Sequence, residues 1–282
     1  MAQELGSARE QPPPTASSAM NAGADLEQPL LRKRSARELR RQHSSHWHVP
    51  SHARRGGLDA RAVRLGFVRK VYAILTAQLL VTCAICAVGM YFTPVRTLLL
   101  RIAGISDSWW FQLALFLPTL VALAFAHSSK TSYPGNYMAL LAFTVCMSFD
   151  VALVCVVVYE SGLGVLLFIA AGITAFMFGS LTLYTFVSGR NFSFMGSFLF
   201  SALSMLCLWG LVTYVFGIAA PILYPLAGIL VFCGYIVYDT WRITTVFGCD
   251  DYIAAAIELY LDILNLFLYI LQLLLEIFSK SD

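Results

Sequence analysis

The chain has 282 residues, of which 59% are apolar and only 12% charged, with a formal net charge of +3 and a mean hydropathy of +0.72. That is about half the charge of a soluble domain and more apolar surface than one soluble globule can hide, which excludes that class. The charge is also unevenly placed, 13 of 19 Lys and Arg falling in the first 70 residues, so a basic leader precedes an almost uncharged body and no nucleic-acid partner is expected.

Residues 1–63 read as a disordered, cytosolic leader. Gln11-Pro12-Pro13-Pro14-Thr15-Ala16-Ser17-Ser18, the Arg and Lys clusters, and His43, His46, His48 and His52 offer too little apolar periodicity to offset the entropy of ordering. The leader lacks the apolar core of a cleaved signal peptide. The four histidines fit a solvated tail better than a metal site, and Leu30-Leu31 resembles an acidic dileucine sorting signal only faintly, its acids Asp25 and Glu27 being misplaced. Basic residues beside a membrane segment are retained on the cytosolic side and attract anionic lipid.

Seven apolar segments then follow, each meeting or approaching the roughly 20 residues needed to cross about 30 Å of hydrocarbon. They are Val71 to Phe92, Trp109 to Ala126, Tyr137 to Tyr159, Leu163 to Val187, Phe194 to Phe216, Ile222 to Tyr238 and Tyr252 to Phe278. Cys83, Cys86, Cys146, Cys155, Cys207 and Cys233 all sit inside these runs, where a thiol serves as a small packing group; only Cys249 falls in a connection. Lys130, Arg190 and Arg242 occupy the second, fourth and sixth connections. With the 13 in the first 70 residues they place 16 cations on one side, against Arg96, Arg101 and Lys280 on the other, which predicts a cytosolic N terminus. The last segment is long and interrupted by polar groups, so it either crosses or enters and returns, and the side of the C terminus stays open.

Ionisable groups at membrane depth are costly, which makes them the first candidates for function. Asp150 lies within the third segment, either lining a shared cavity or beside a hydroxyl. The sixth segment ends at Asp239. In the seventh, Glu258, Asp262, Asn265, Tyr269, Gln272 and Glu276 recur at separations of 4, 3, 4, 3 and 4, forming one polar stripe, with the opposite face expected to meet lipid. Antiparallel neighbours joined by about a dozen residues would bring Asp239 opposite Asp262, about 15 Å into its helix. Two carboxyls so placed cannot both ionise cheaply, so the pair is expected to share a proton and act as a pH switch.

The sequence resembles the transmembrane Bax-inhibitor-motif family, in particular its lifeguard and Golgi anti-apoptotic branch. The resemblance is carried by Gly66-Phe67-Val68-Arg69-Lys70-Val71-Tyr72, by Leu181-Thr182-Leu183-Tyr184-Thr185-Phe186, by Phe232 through Thr240, and most specifically by Asp251 through Leu268. It implies a seven-helix bundle around a central last helix, in internal membranes of the Golgi, the endoplasmic reticulum or related compartments. It also implies a Ca²⁺ leak that opposes cell death, with Asp239 and Asp262 as the paired acids that gate it and touch Ca²⁺ in passing. Asp150, Glu258, Asn265, Gln272 and Glu276 are the remaining pore-lining candidates. No cofactor is expected besides the permeant Ca²⁺; the expected partners are membrane lipid and membrane proteins of cell-death signalling. Bacterial relatives pair the acids with an Arg in the second helix, whereas Trp109 to Ala126 contains no cation.

An intramembrane aspartyl protease also needs two facing aspartates, but here the second lies in Leu-Tyr-Leu-Asp262 rather than Gly-x-Gly-Asp, and no Pro-Ala-Leu occurs. An enzyme is therefore not expected. A seven-helix receptor is disfavoured by the cytosolic N terminus and by the absence of Asp-Arg-Tyr after the third segment. The alternative to a channel is a non-conducting scaffold acting through partner proteins.

Overall fold

A computed structural model describes residues 51–105, 109–128, 135–217, 220–248 and 250–279, with side chains described over 61–104 and, within those ranges, from 114 onward. Outside the described residues lie most of the leader, with Leu30-Leu31, His43, His46 and His48, together with Lys130, Cys249 and Lys280. The chain divides into two units, Met1–Ala60 and Arg61–Asp282, and the membrane domain is the second.

Eight α-helices run through the described residues: α1 (Ser51–Tyr91), α2 (Thr93–Ile105), α3 (Trp109–Ser128), α4 (Gly135–Val158), α5 (Gly164–Ser188), α6 (Met195–Phe216), α7 (Leu223–Thr245) and α8 (Tyr252–Phe278). Helix α1 begins at Ser51, ahead of the first apolar segment's start at Val71. Helix α2 falls in what the sequence presents as a connection. Its start, Thr93-Pro94, uses a proline whose fixed φ and missing N–H suit the first turn.

Among the described residues, five stretches are long and apolar enough to cross a membrane: Arg61–Tyr91, Gly135–Ser188, Met195–Phe216, Leu223–Thr245 and Tyr252–Phe278, with Ala114–Ser128 a shorter apolar helix. The second of these holds 54 residues, which as one straight helix would extend about 80 Å. A wide helical turn, Tyr159–Leu163, breaks it at Gly162, whose φ of +79° is a left-handed value that suits glycine, and α4 and α5 pack against each other. The seven predicted segments are thus all present, in a multi-pass, all-α membrane bundle with α2 added.

Helix α8 is the axis of that bundle and packs most extensively against α7, then α5. The face opposite its polar stripe was expected to meet lipid; instead Ile253, Ala256, Tyr260, Leu264 and Leu271 are buried. The correction has a polar cause as well as an apolar one. The Tyr260 hydroxyl lies 2.8 Å from that of Thr82, which meets Ser148 at 2.9 Å, and Gln78 donates to the Thr144 hydroxyl at 3.1 Å. These bonds tie α1 and α4 to α8 from the side that the stripe leaves free, so both faces of the helix are held by protein.

Candidate functional site

Helix α7 does not stop at Tyr238 but continues for two more turns to Thr245. Arg242 therefore lies in the helix rather than in a connection, three residues after Asp239 and on the same face. Asp239 is 4% exposed and Asp262 5%. Both residues line one cavity at the α7–α8 interface, where the sequence spacing sets them opposite each other. Arg242 donates from Nη1 to Asp239 Oδ1 at 3.1 Å, and the same nitrogen pairs with Glu258 Oε2, so one guanidinium joins an acid from each helix. The Arg242 guanidinium also stands 4.5 Å from the centre of the Phe247 ring.

Asp262 Oδ2 is buried and has no hydrogen-bond partner among the described residues when both acids are counted as acceptors. A buried acceptor without a donor is costly, and a proton shared with Asp239 would supply one. The other charged and titratable side chains that share the pair's cavity include Arg242, Glu258, Tyr235 and Tyr238. A cavity of about 430 Å³ opens onto it, lined by Asp239, Asp262, Arg242, Glu258, Tyr235 and Asn265 among others.

Three sequence candidates thus share one cavity with the pair's first member: Glu258, Asp262 and Asn265, the last of which donates from Nδ2 to the Leu261 carbonyl at 2.8 Å. Gln272 and Glu276 are half-buried further along α8 and do not line it. Asp150 is elsewhere: its Oδ2 accepts from the Thr119 hydroxyl at 2.7 Å, and it lines a different cavity. Arg242 and Tyr235 are the residues that the sequence did not mark as part of the site. The Asp239-x-x-Arg242 spacing, about one helical turn, is the sequence signal for the former. Among the described residues, no group of three or more His, Cys, Asp or Glu side chains is arranged to hold a metal ion.

The C-terminal end of α7 is braced by Arg64 of α1. Its Nε donates to the Thr244 carbonyl at 2.8 Å and its Nη1 to the Phe247 carbonyl at 2.5 Å. A cation on these carbonyls satisfies acceptors that the end of α7 leaves open and complements its dipole.

The family model described as inhibitor of apoptosis-promoting Bax1 matches residues 64–280. Among curated relatives, Protein LIFEGUARD 4 of Arabidopsis thaliana is 36% identical over 77% of this chain and 87% of its own length. The BI1-like protein of the same plant is 40% identical over 75% of this chain and 81% of its own. The Golgi anti-apoptotic protein of vaccinia virus (strain Lister) is 38% identical over 78% and 88%. The chain belongs to the Bax-inhibitor family.

Proposed function

With the chain a member of that family, we propose that it is a Ca²⁺-permeable leak channel of a Golgi or endoplasmic reticulum membrane, gated by proton sharing between Asp239 and Asp262 and opposing cell death. The observation that carries this reading is the cavity at the α7–α8 interface, where three acids, Asp239, Glu258 and Asp262, face one base, Arg242. An excess of carboxylate at membrane depth attracts cations, and a site with two close carboxyls rather than a full set of ligands favours passage over retention.

With the proton in place, the two carboxyls are joined by a hydrogen bond that draws α7 and α8 together. Without it two like charges face each other across the interface in a low dielectric and repel. Arg242 tempers that repulsion from the Asp239 side, and Glu258 adds to it. Loss of the shared proton therefore opens the cytosolic end. The N terminus lies in the cytosol on this reading, and no enzymatic step is involved. The name of the vaccinia relative supports the anti-apoptotic and Golgi assignments.

The test is Ca²⁺ flux through purified protein in liposomes. Flux above protein-free vesicles supports a channel, and none at any pH from about 6 to 8 leaves the non-conducting scaffold.

A further inference from the structure

A second cavity, of about 540 Å³, shares no lining residue with the one at the aspartate pair. Leu115 and Phe116 of α3, Leu153, Val154 and Val157 of α4 and Leu275 of α8 form its apolar walls, and Asp150 is the acid among its described lining residues. Phe116, Val154 and Val157 are 43%, 41% and 43% exposed, so the cavity opens sideways, toward what would be hydrocarbon in a membrane.

Asp150 occupies the middle of the spanning run, where an ionised carboxyl is expensive unless it finds a partner. It has one hydroxyl donor, Thr119, and among the described residues no Lys, Arg or His forms an ion pair with it. A hydroxyl satisfies one lone pair and none of the charge. Among its described lining residues the cavity offers Asp150 no cation, and its apolar walls specify what a matching cation would be attached to. Its volume falls within the roughly 300–1,000 Å³ of small-molecule sites, which combine apolar walls with a few oriented polar groups.

We propose that this cavity binds a lipophilic amine, its ammonium paired with Asp150 and its apolar body against Phe116, Leu153, Val154 and Val157. An ammonium donates to the carboxyl oxygen that Thr119 leaves open, and in a low dielectric this charge-assisted contact is stronger than in water. Fatty carboxylates are rejected by like charge. Neutral alcohols and acyl chains fill the walls but leave the acid without a counter-ion, so the ammonium supplies the selectivity. The sideways opening admits the ligand from the bilayer, into which such amines partition.

The experiment uses full-length protein in nanodiscs and a diazirine-bearing dodecylamine, with labelled positions mapped by mass spectrometry. Labels are expected around Phe116 and Leu153 to Val157, displaced by dodecylamine about tenfold more effectively than by dodecanol, as one charge-assisted contact predicts. Asp150→Asn keeps the size of the side chain and its bond to Thr119, so it should melt like wild type yet lose about tenfold in labelling for the same reason. Val154→Trp fills the cavity while leaving Asp150 intact and should also abolish labelling. Equal labelling of Asp150→Asn and wild type, equal competition by dodecanol, or unchanged labelling of Val154→Trp would each overturn the proposal. If Val154→Trp fails to fold, the other two arms decide it.

Discussion

Gly228 of α7 faces the ring of Tyr269 on α8 so closely that a methyl group on the glycine would stand 2.5 Å from Cδ1 and 2.6 Å from Cγ. Cγ is the root of the ring, so the tyrosine cannot swing clear by rotating its tip. The absence of a side chain at residue 228 thus sets the separation of the two helices that carry the aspartates. Gly228→Ala is expected to cost about 1–3 kcal/mol, the range for overpacking. Thermal unfolding in detergent measures it. Adding Tyr269→Ala should make the pair of substitutions less harmful than their sum, because the clash disappears with the ring.

Asp262→Asn should reduce Ca²⁺ flux in liposomes by more than tenfold. Removing a unit charge about 4 Å from a cation's path, at an effective dielectric of about 20, withdraws on the order of 4 kcal/mol of attraction. Wild-type flux in this variant would place the pathway away from the aspartate pair.

Flux in the wild type should rise from about pH 6 to about pH 8, values that bracket a carboxyl pair sharing a proton. The sign follows from the gate: acid restores the proton that joins α7 to α8, and base removes it. Asp239→Asn keeps the bulk but leaves a single titrating carboxyl, so its flux should vary much less across the same interval. Equal pH sensitivity in variant and wild type would move the switch to Glu258 or to a group outside the site.

Arg242→Gln leaves Asp239 and Glu258 without their shared cation. The expected loss is about 3 kcal/mol, the low end for a broken buried pair, because Arg242 and Glu258 are 27% and 26% exposed. Neutralising Glu258 as well, in Arg242→Gln/Glu258→Gln, should recover part of the melting temperature. Additive losses would show that the pair contributes no coupling.

A tag placed before Met1 should be removed by protease added to sealed microsomes, since even without Arg242, which lies within α7, 15 of the cations assigned a side lie with the leader and three opposite. Full protection of the tag would invert the topology.

The aspartate pair was legible because carboxylates are rare at membrane depth, and because Asp262 sits at a countable distance inside its helix. Arg242 was not, since the run Tyr238-Asp239-Thr240-Trp241-Arg242 looks like an exit from the membrane. The helix continues because Arg242 compensates Asp239 and Glu258 locally, a tertiary effect that hydropathy does not record. The buried back face of α8 misled for a related reason: Leu and Ile read alike whether they meet lipid or Phe143 and Tyr260 meet each other, their rings 5.9 Å apart. Asp150 was visible as an acid, but only the fold separates its cavity from the other.

The turn at Gly162 bears on how the protein is made. Helices α4 and α5 are joined by the five residues Tyr159–Leu163, leaving no loop long enough for α4 to enter the bilayer and wait for α5. A joint that short couples the insertion of the two as one helical hairpin, with Glu160 at its tip. That hairpin consumes two crossings at once, so α6, α7 and α8 inherit their direction from its success. A substitution that straightened residue 162 would strand one crossing and reverse every helix after it, delivering Asp239 and Asp262 at the opposite face of the membrane while leaving their local sequence untouched.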